Sequence, residues 1–295
     1  MARQLLLIAL VAALFGCSSP ELLVGYARPG FVVRVRESDG RLHWRDNSGG
    51  DTDEVLGIRR GPSRQLYLCS YRAHKIIAYR ETRQTETGVF AGPDTIQGPT
   101  DLLFLPDGNM LVACSGSTQY LLDEQFDASG VELVILSGPK SDSPGKRIAI
   151  VDKGSYSGVP TSLALGEDGA VYVGGRDSST VLRMDPSLQR ATVFADIGAA
   201  LNRGPTHITF GPDGALYATS LFDTKVVRID ANGTTEFIND AELTKPAGLA
   251  FSHNGEQLFV ASVNRGEIRR YDANTGAFID TLATEMAEPW AVIRR

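Results

Sequence analysis

Beyond residue 20 the apolar positions come in short runs rich in Val, Ile, Leu, Tyr and Phe. Tight-turn pairs break them, at Asp107-Gly108, Asp168-Gly169, Asp213-Gly214 and Asn254-Gly255. Alternation with period two between such pairs predicts antiparallel strands joined as hairpins.

The pattern repeats. Residues 99–108 (PTDLLFLPDG), 160–169 (PTSLALGEDG), 205–214 (PTHITFGPDG) and 246–255 (PAGLAFSHNG) align from Pro to Gly without a gap. A degenerate copy begins at Val55, and Pro289-Trp290-Ala291-Val292-Ile293 begins another. After each turn come an apolar run such as Leu216-Tyr217-Ala218, a polar loop, a second run such as Val226-Val227-Arg228-Ile229, and a weaker fourth strand such as Thr235-Glu236-Phe237-Ile238. Each unit is a four-stranded antiparallel sheet that cannot cover both its faces alone. Sheets packed radially cover one another, which is the β-propeller solution.

The chain ends set the number of blades. The last residues form only a first strand, whereas residues 22–26, 31–36 and 41–44 supply second, third and fourth strands. Pairing the two fragments predicts an all-β, six-bladed propeller over residues 21–295, closed by its C-terminal strand without an open edge. Only the third blade is enlarged, by a loop at residues 117–130. Its Tyr120, Leu121, Leu122 and Phe126 could lie on one face of a short helix.

The start of the chain is organised differently. Arg3 precedes an apolar stretch at residues 5–15, too short to span a bilayer but the length of a secretory signal core. It ends Leu14-Phe15-Gly16-Cys17-Ser18-Ser19, which resembles a bacterial lipobox. Residues 1–16 are therefore expected to be a signal peptide, and residues 17–20 a lipidated Cys17 with a short tether. The expected location is the cell envelope, anchored in the membrane through lipid; Ser18 favours the outer membrane, facing the periplasm, in a Gram-negative cell. Cys69 and Cys114, the other two cysteines, are expected to be buried and unpaired.

With 29 Lys and Arg against 35 Asp and Glu, the chain carries a formal charge of −6, which argues against a nucleic-acid binder, because phosphate neutralisation needs a dominant basic surface. The charge is uneven. Residues 17–84 hold twelve basic and eight acidic side chains, and residues 85–295 hold sixteen and twenty-seven. The basic flank, with Arg28, Arg34, Arg36, Arg41, Arg45, Arg59, Arg60 and Arg64, lies nearest Cys17 and is expected to face anionic lipid.

In a propeller the first strands converge on the axis, and their third residues here are Gly57, Asp101, Ser162, His207, Gly248 and Ala291. Asp101 and His207 can bind a metal or move a proton, which makes them the candidate catalytic and metal-ligating pair. Thr100, Ser162, Thr206, Arg176, Asp223 and Trp290 are candidate ligand contacts at the mouth where these strands begin. The alternative is that Asp101 and His207 order the channel by hydrogen bonding.

The unit P-x-x-[LI]-x-[FL]-x-x-[DN]-G-x-[LV]-[YF]-[VA] resembles the NHL-repeat proteins and the six-bladed gluconolactonase and senescence-marker group. That resemblance implies a propeller, and in the enzymes a divalent metal, Ca²⁺ or Mg²⁺, in the channel mouth. The gluconolactonase-like enzymes end a second strand on a metal-binding Asp; here those positions are Ser70, Cys114, Gly175, Ser220 and Ser262. The copy at Pro205 is also similar to the repeats of the virginiamycin B lyase family, where His207 matches a His without the accompanying Glu. Two functions are carried forward. One is a binding module for an envelope protein or small polar ligand. The other is a metal-dependent hydrolase or lyase acting on a small sugar-derived or lactone substrate.

Overall fold

The computed structural model of the protein describes residues 19–45, 52–62, 65–80, 85–116, 130–152 and 158–295, all without helix. The closing blade carries β1 (Glu21–Tyr26), β2 (Val32–Arg36) and β3 (Leu42–Arg45). The second blade is β4 (Val55–Arg60), β5 (Gln65–Ser70), β6 (Lys75–Arg80) and β7 (Thr85–Ala91), and the third is β8 (Pro99–Phe104), β9 (Met110–Ser115), β10 (Val131–Leu136) and β11 (Arg147–Ile150). The fourth comprises β12 (Val159–Leu165), β13 (Val171–Arg176), β14 (Thr180–Met184) and β15 (Ala191–Asp196). The fifth comprises β16 (His207–Phe210), β17 (Leu216–Thr219), β18 (Lys225–Asp230) and β19 (Gly233–Asn239). The sixth is β20 (Pro246–Phe251), β21 (Gln257–Ser262), β22 (Glu267–Asp272) and β23 (Phe278–Ala283), after which β24 (Pro289–Arg294) returns to β1.

Closure is as the sequence predicts. β24 pairs antiparallel with β1, Leu22 opposite Arg294 and Gly25 opposite Ala291, and Arg295 N–H donates to Glu21 O at 2.8 Å. Trp290 is buried with Tyr26, Phe259 and Met286, and Phe31 packs against the same cluster. Each first strand packs on the next around the axis. Six four-stranded antiparallel sheets therefore share one ring.

Two devices hold blade to blade. Tyr67 on a second strand meets Phe90 of its own blade edge-on at 5.2 Å and Phe104 of the following blade at 5.1 Å. Tyr172 with Phe194 and Phe210, and Tyr217 with Phe237 and Phe251, repeat the arrangement. Each ring pair contributes about 0.5–1.5 kcal/mol beyond its burial. The close approach of first strands is the second device. A Cβ on Gly248 would lie 2.3 Å from Trp290 O, so no larger residue fits where β20 meets β24.

Cys17 and residues 117–129 lie outside the described residues. Cys69 and Cys114 are buried free thiols in one core cluster. Burial pushes the Cys114 thiol up to about 12 and Cys69 well above its usual value.

Candidate functional site

The polar residues of the first strands form two sets. The first closes the leading ends, where the strands begin. β8 bulges at Thr100 and β12 at Thr161, which puts a threonine between blades. Thr100 shares its hydroxyl hydrogen between Ala113 O at 3.1 Å and Pro160 O of the next blade at 3.2 Å. Thr161 does the same with Gly174 O at 3.2 Å and Pro205 O at 2.9 Å. Thr206 Oγ1 accepts from Leu221 N–H at 3.0 Å.

Serines at the second-strand ends fasten the incoming loops. Ser70 Oγ accepts from Asp53 N–H at 2.7 Å, Ser220 Oγ donates to Asn202 O at 2.6 Å, and Ser262 Oγ accepts from Thr244 N–H at 3.0 Å. Three of the second-strand ends are thus spent on loop anchoring.

The second set runs around the axis. Period two places Arg59, two residues beyond Gly57, on the same side of β4. Its Nη2 donates to Asp101 Oδ2 at 2.7 Å and to Leu163 O at 3.0 Å, while Nη1 donates to Ile58 O at 3.1 Å. Asp101 Oδ2 also accepts from Ser162 Oγ at 3.1 Å and Leu163 N–H at 2.9 Å, and Oδ1 from Leu102 N–H at 2.8 Å. Ser162 Oγ in turn accepts from Ile208 N–H at 3.1 Å, beside His207. Four successive blades are linked in this way. Of the basic group near the chain start, Arg59 is partly buried and faces the axis, and Arg34 is buried.

Burial pushes the Asp101 pKa up, against the pull of Arg59 and three hydrogen bonds. Four donors converge on its two oxygens, the surroundings of an ionised carboxylate paired with Arg59. His207, 8% exposed, is pushed down to about 3 by burial and then by Arg59, so its ring is neutral at physiological pH. Its Nδ1 is enclosed and has no hydrogen-bond partner among the described residues.

A cavity of about 430 Å³ opens above Arg59 and His207, at the trailing ends of β16, β20 and β24. This is the opposite end of the axis from the mouth selected by sequence. Phe210, Leu249 and Phe251 give it apolar walls, and Arg294, His253 and Asn254 form its exposed rim. A second cavity, of about 510 Å³, lies on the closing blade and is lined mainly by Tyr26, Pro29, Phe31, Val33 and Leu42.

The structure thus brings Asp101, Ser162 and His207 together, with Thr100 and Thr206 as staples at the far end. Trp290 lies in the core. Arg176 is buried with its guanidinium 5.4 Å from the Phe222 ring centre, and Asp223 accepts from Asn202 N–H at 2.6 Å and Nδ2 at 2.8 Å. Arg59 is the member that the third-residue ring missed; following the same strand face two residues further reaches it.

A divalent metal does not fit Asp101 and His207 as they stand. Both carboxylate oxygens are taken, a guanidinium lies at 2.7 Å, and among the described residues no three His, Cys, Asp or Glu side chains gather as ligands.

No family model matches the chain, and no curated protein matches it. Solved six-bladed propellers do. A chain from a nidogen/laminin complex superposes with a TM-score of 0.73 at 10% identity, over 94% of this chain and 98% of that one. Catalytically inactive virginiamycin B lyase from Staphylococcus aureus with quinupristin gives 0.61 at 17% identity, over 94% and 89%. A protein of unknown function from Bacteroides caccae gives 0.64 at 14%, over 94% and 99%. At these identities the likeness is one of fold.

Proposed function

We propose that this propeller is a noncatalytic binding module of the cell envelope, anchored through lipid on Cys17 and presenting its rigid ring to a small ligand or an envelope protein. The observation that carries the noncatalytic reading is the saturation of Asp101. A carboxylate already accepting four hydrogen bonds, three of them on Oδ2 and one of these from a guanidinium, is engaged in ordering the ring, which supports a structural rather than a metal-binding or proton-transfer role. His207, held near 3, is a weak base at neutral pH. The lipobox-like Leu14-Phe15-Gly16-Cys17 supports the anchor.

The test is thermal unfolding of the mature protein with Ca²⁺, Mg²⁺, Mn²⁺ or Zn²⁺, because an ion held only by the folded state raises Tm. No ion-specific rise is expected; a saturable rise lost in Asp101→Asn would replace this reading with the metal-dependent hydrolase or lyase. Detergent phase partition of full-length protein and Cys17→Ala tests the anchor, and equal partition of the two would remove it.

A further inference from the structure

We infer that the cavity at the trailing ends of the first strands is a receptor site for a small organic anion, its carboxylate or phosphate head against Arg59 and His207 and its apolar body between Phe210, Leu249 and Phe251. This rests on the reading of the propeller as a binding module and names the ligand class of that module.

Charge is the first reason. The chain is acidic overall, yet among the described residues the cavity is lined by Arg59, Arg294, His207 and His253 and by no Asp or Glu. Two carboxylates border the rim: Glu37 is buried and accepts from His253 N–H at 3.4 Å, and Glu256 accepts from Asn254 Nδ2.

Unfilled hydrogen-bonding capacity is the second. Arg59 has five N–H donors, and three are used on Asp101, Leu163 and Ile58. Its Nε and one Nη1 hydrogen are left on a side chain that is 22% exposed and lines the cavity. His207 lies on the same floor, and among the described residues its enclosed Nδ1 has no partner. A ligand oxygen would satisfy the two free Arg59 donors, with the neutral His207 ring beside them on the floor. Asp101 fixes the guanidinium from behind, so its orientation is set before a ligand arrives.

Shape is the third. A volume of about 430 Å³ suits a small molecule, and the rings of Phe210 and Phe251 are held by Tyr172 and Tyr217 as fixed walls. Neither inorganic phosphate nor an uncharged aromatic uses both halves of such a cavity.

Calorimetric titration of the mature protein with benzoate, phenyl phosphate, inorganic phosphate and benzyl alcohol tests the inference. Benzoate or phenyl phosphate should bind at least about tenfold more tightly than benzyl alcohol and than inorganic phosphate, the usual size of a charge-assisted hydrogen bond. Arg59→Gln should weaken the aromatic anion about tenfold or more, and Arg294→Gln, at the exposed rim, about twofold to fivefold. If Arg59→Gln does not fold, the ranking of probes on wild-type protein and the Arg294→Gln arm decide.

Equal affinity for benzoate and benzyl alcohol, no binding of either aromatic anion at millimolar concentration, or unchanged affinity in folded Arg59→Gln overturns the site. Turnover of a bound probe would instead count against the noncatalytic reading and leave the site standing.

Discussion

Replacing Asp101 by Asn keeps the shape of the side chain and changes only its charge and one acceptor, so it isolates what the carboxylate does. In the wild type its two oxygens accept from Arg59, Ser162, Leu163 N–H and Leu102 N–H. An amide turns one oxygen into a donor. With the NH₂ toward Leu102, that N–H loses its acceptor inside the protein, a cost of about 1–3 kcal/mol. Arg59 also loses its counter-charge; its side chain is 22% exposed, so solvent screening limits this loss to about 1 kcal/mol. The sum is about 2–4 kcal/mol, which at this chain length lowers Tm by roughly 4–8 °C at about 2 °C per kcal/mol. Urea unfolding with Ser162→Ala and the double variant completes the test, because residues in one network couple by more than about 0.5 kcal/mol. An Asp101→Asn protein as stable as wild type, or more stable, would refute the structural role and mark Asp101 as a group kept for function at a cost in stability.

Three further outcomes follow from the same geometry. His207 titrates near 6.5 when unfolded and near 3 when folded, so the unfolded chain takes up the proton first; stability is whole above pH 6.5 and declines as pH falls toward 3. Wild type should lose about 2 kcal/mol between pH 8 and pH 5 through this group alone. Urea titrations should show that slope reduced in His207→Gln, and identical slopes would remove the assignment. Gly248→Ala should destabilise by about 1–3 kcal/mol or more, because its methyl would sit 2.3 Å from Trp290 O, a backbone atom; a melt matching wild type would show that the first strands are not so close. Cys69 and Cys114, both fully buried with raised pKa values, should resist iodoacetamide in the native state and react together on unfolding, and rapid native labelling of either would contradict their burial.

The ring was legible in sequence because each blade repeats the same local instruction. A Pro-to-Gly spacing marks the first strand and its turn, and only a missing first strand at one end and a lone one at the other needed joining; the pairing of Leu22 with Arg294 is that join. The third-residue ring also found Asp101, Ser162 and His207 correctly as neighbours. Their chemistry was less legible, since it depends on what crosses from one blade to the next. Thr100 reads in sequence as a residue of the mouth; that its hydroxyl bridges Ala113 O and Pro160 O of the next blade depends on the fold. Arg59 looked like one more surface arginine, since nothing local to β4 tells that Asp101, 42 residues on, points at it. The cavity end was hidden for a related reason: repeat spacing gives the order of residues along the axis but not the side-chain volumes that fill one end and leave the other open.

The most direct measurement is a benzoate titration of ¹⁵N-histidine-labelled mature protein at pH 7, following the imidazole nitrogens of His207, one of only four histidines. The expected result is a neutral His207 ring whose nitrogen signals shift and saturate while the benzoate in the same tube stays chemically unchanged. A His207 signal indifferent to benzoate, or a ring already charged at pH 7, would contradict the central claim that the axial network is the preset floor of a binding site.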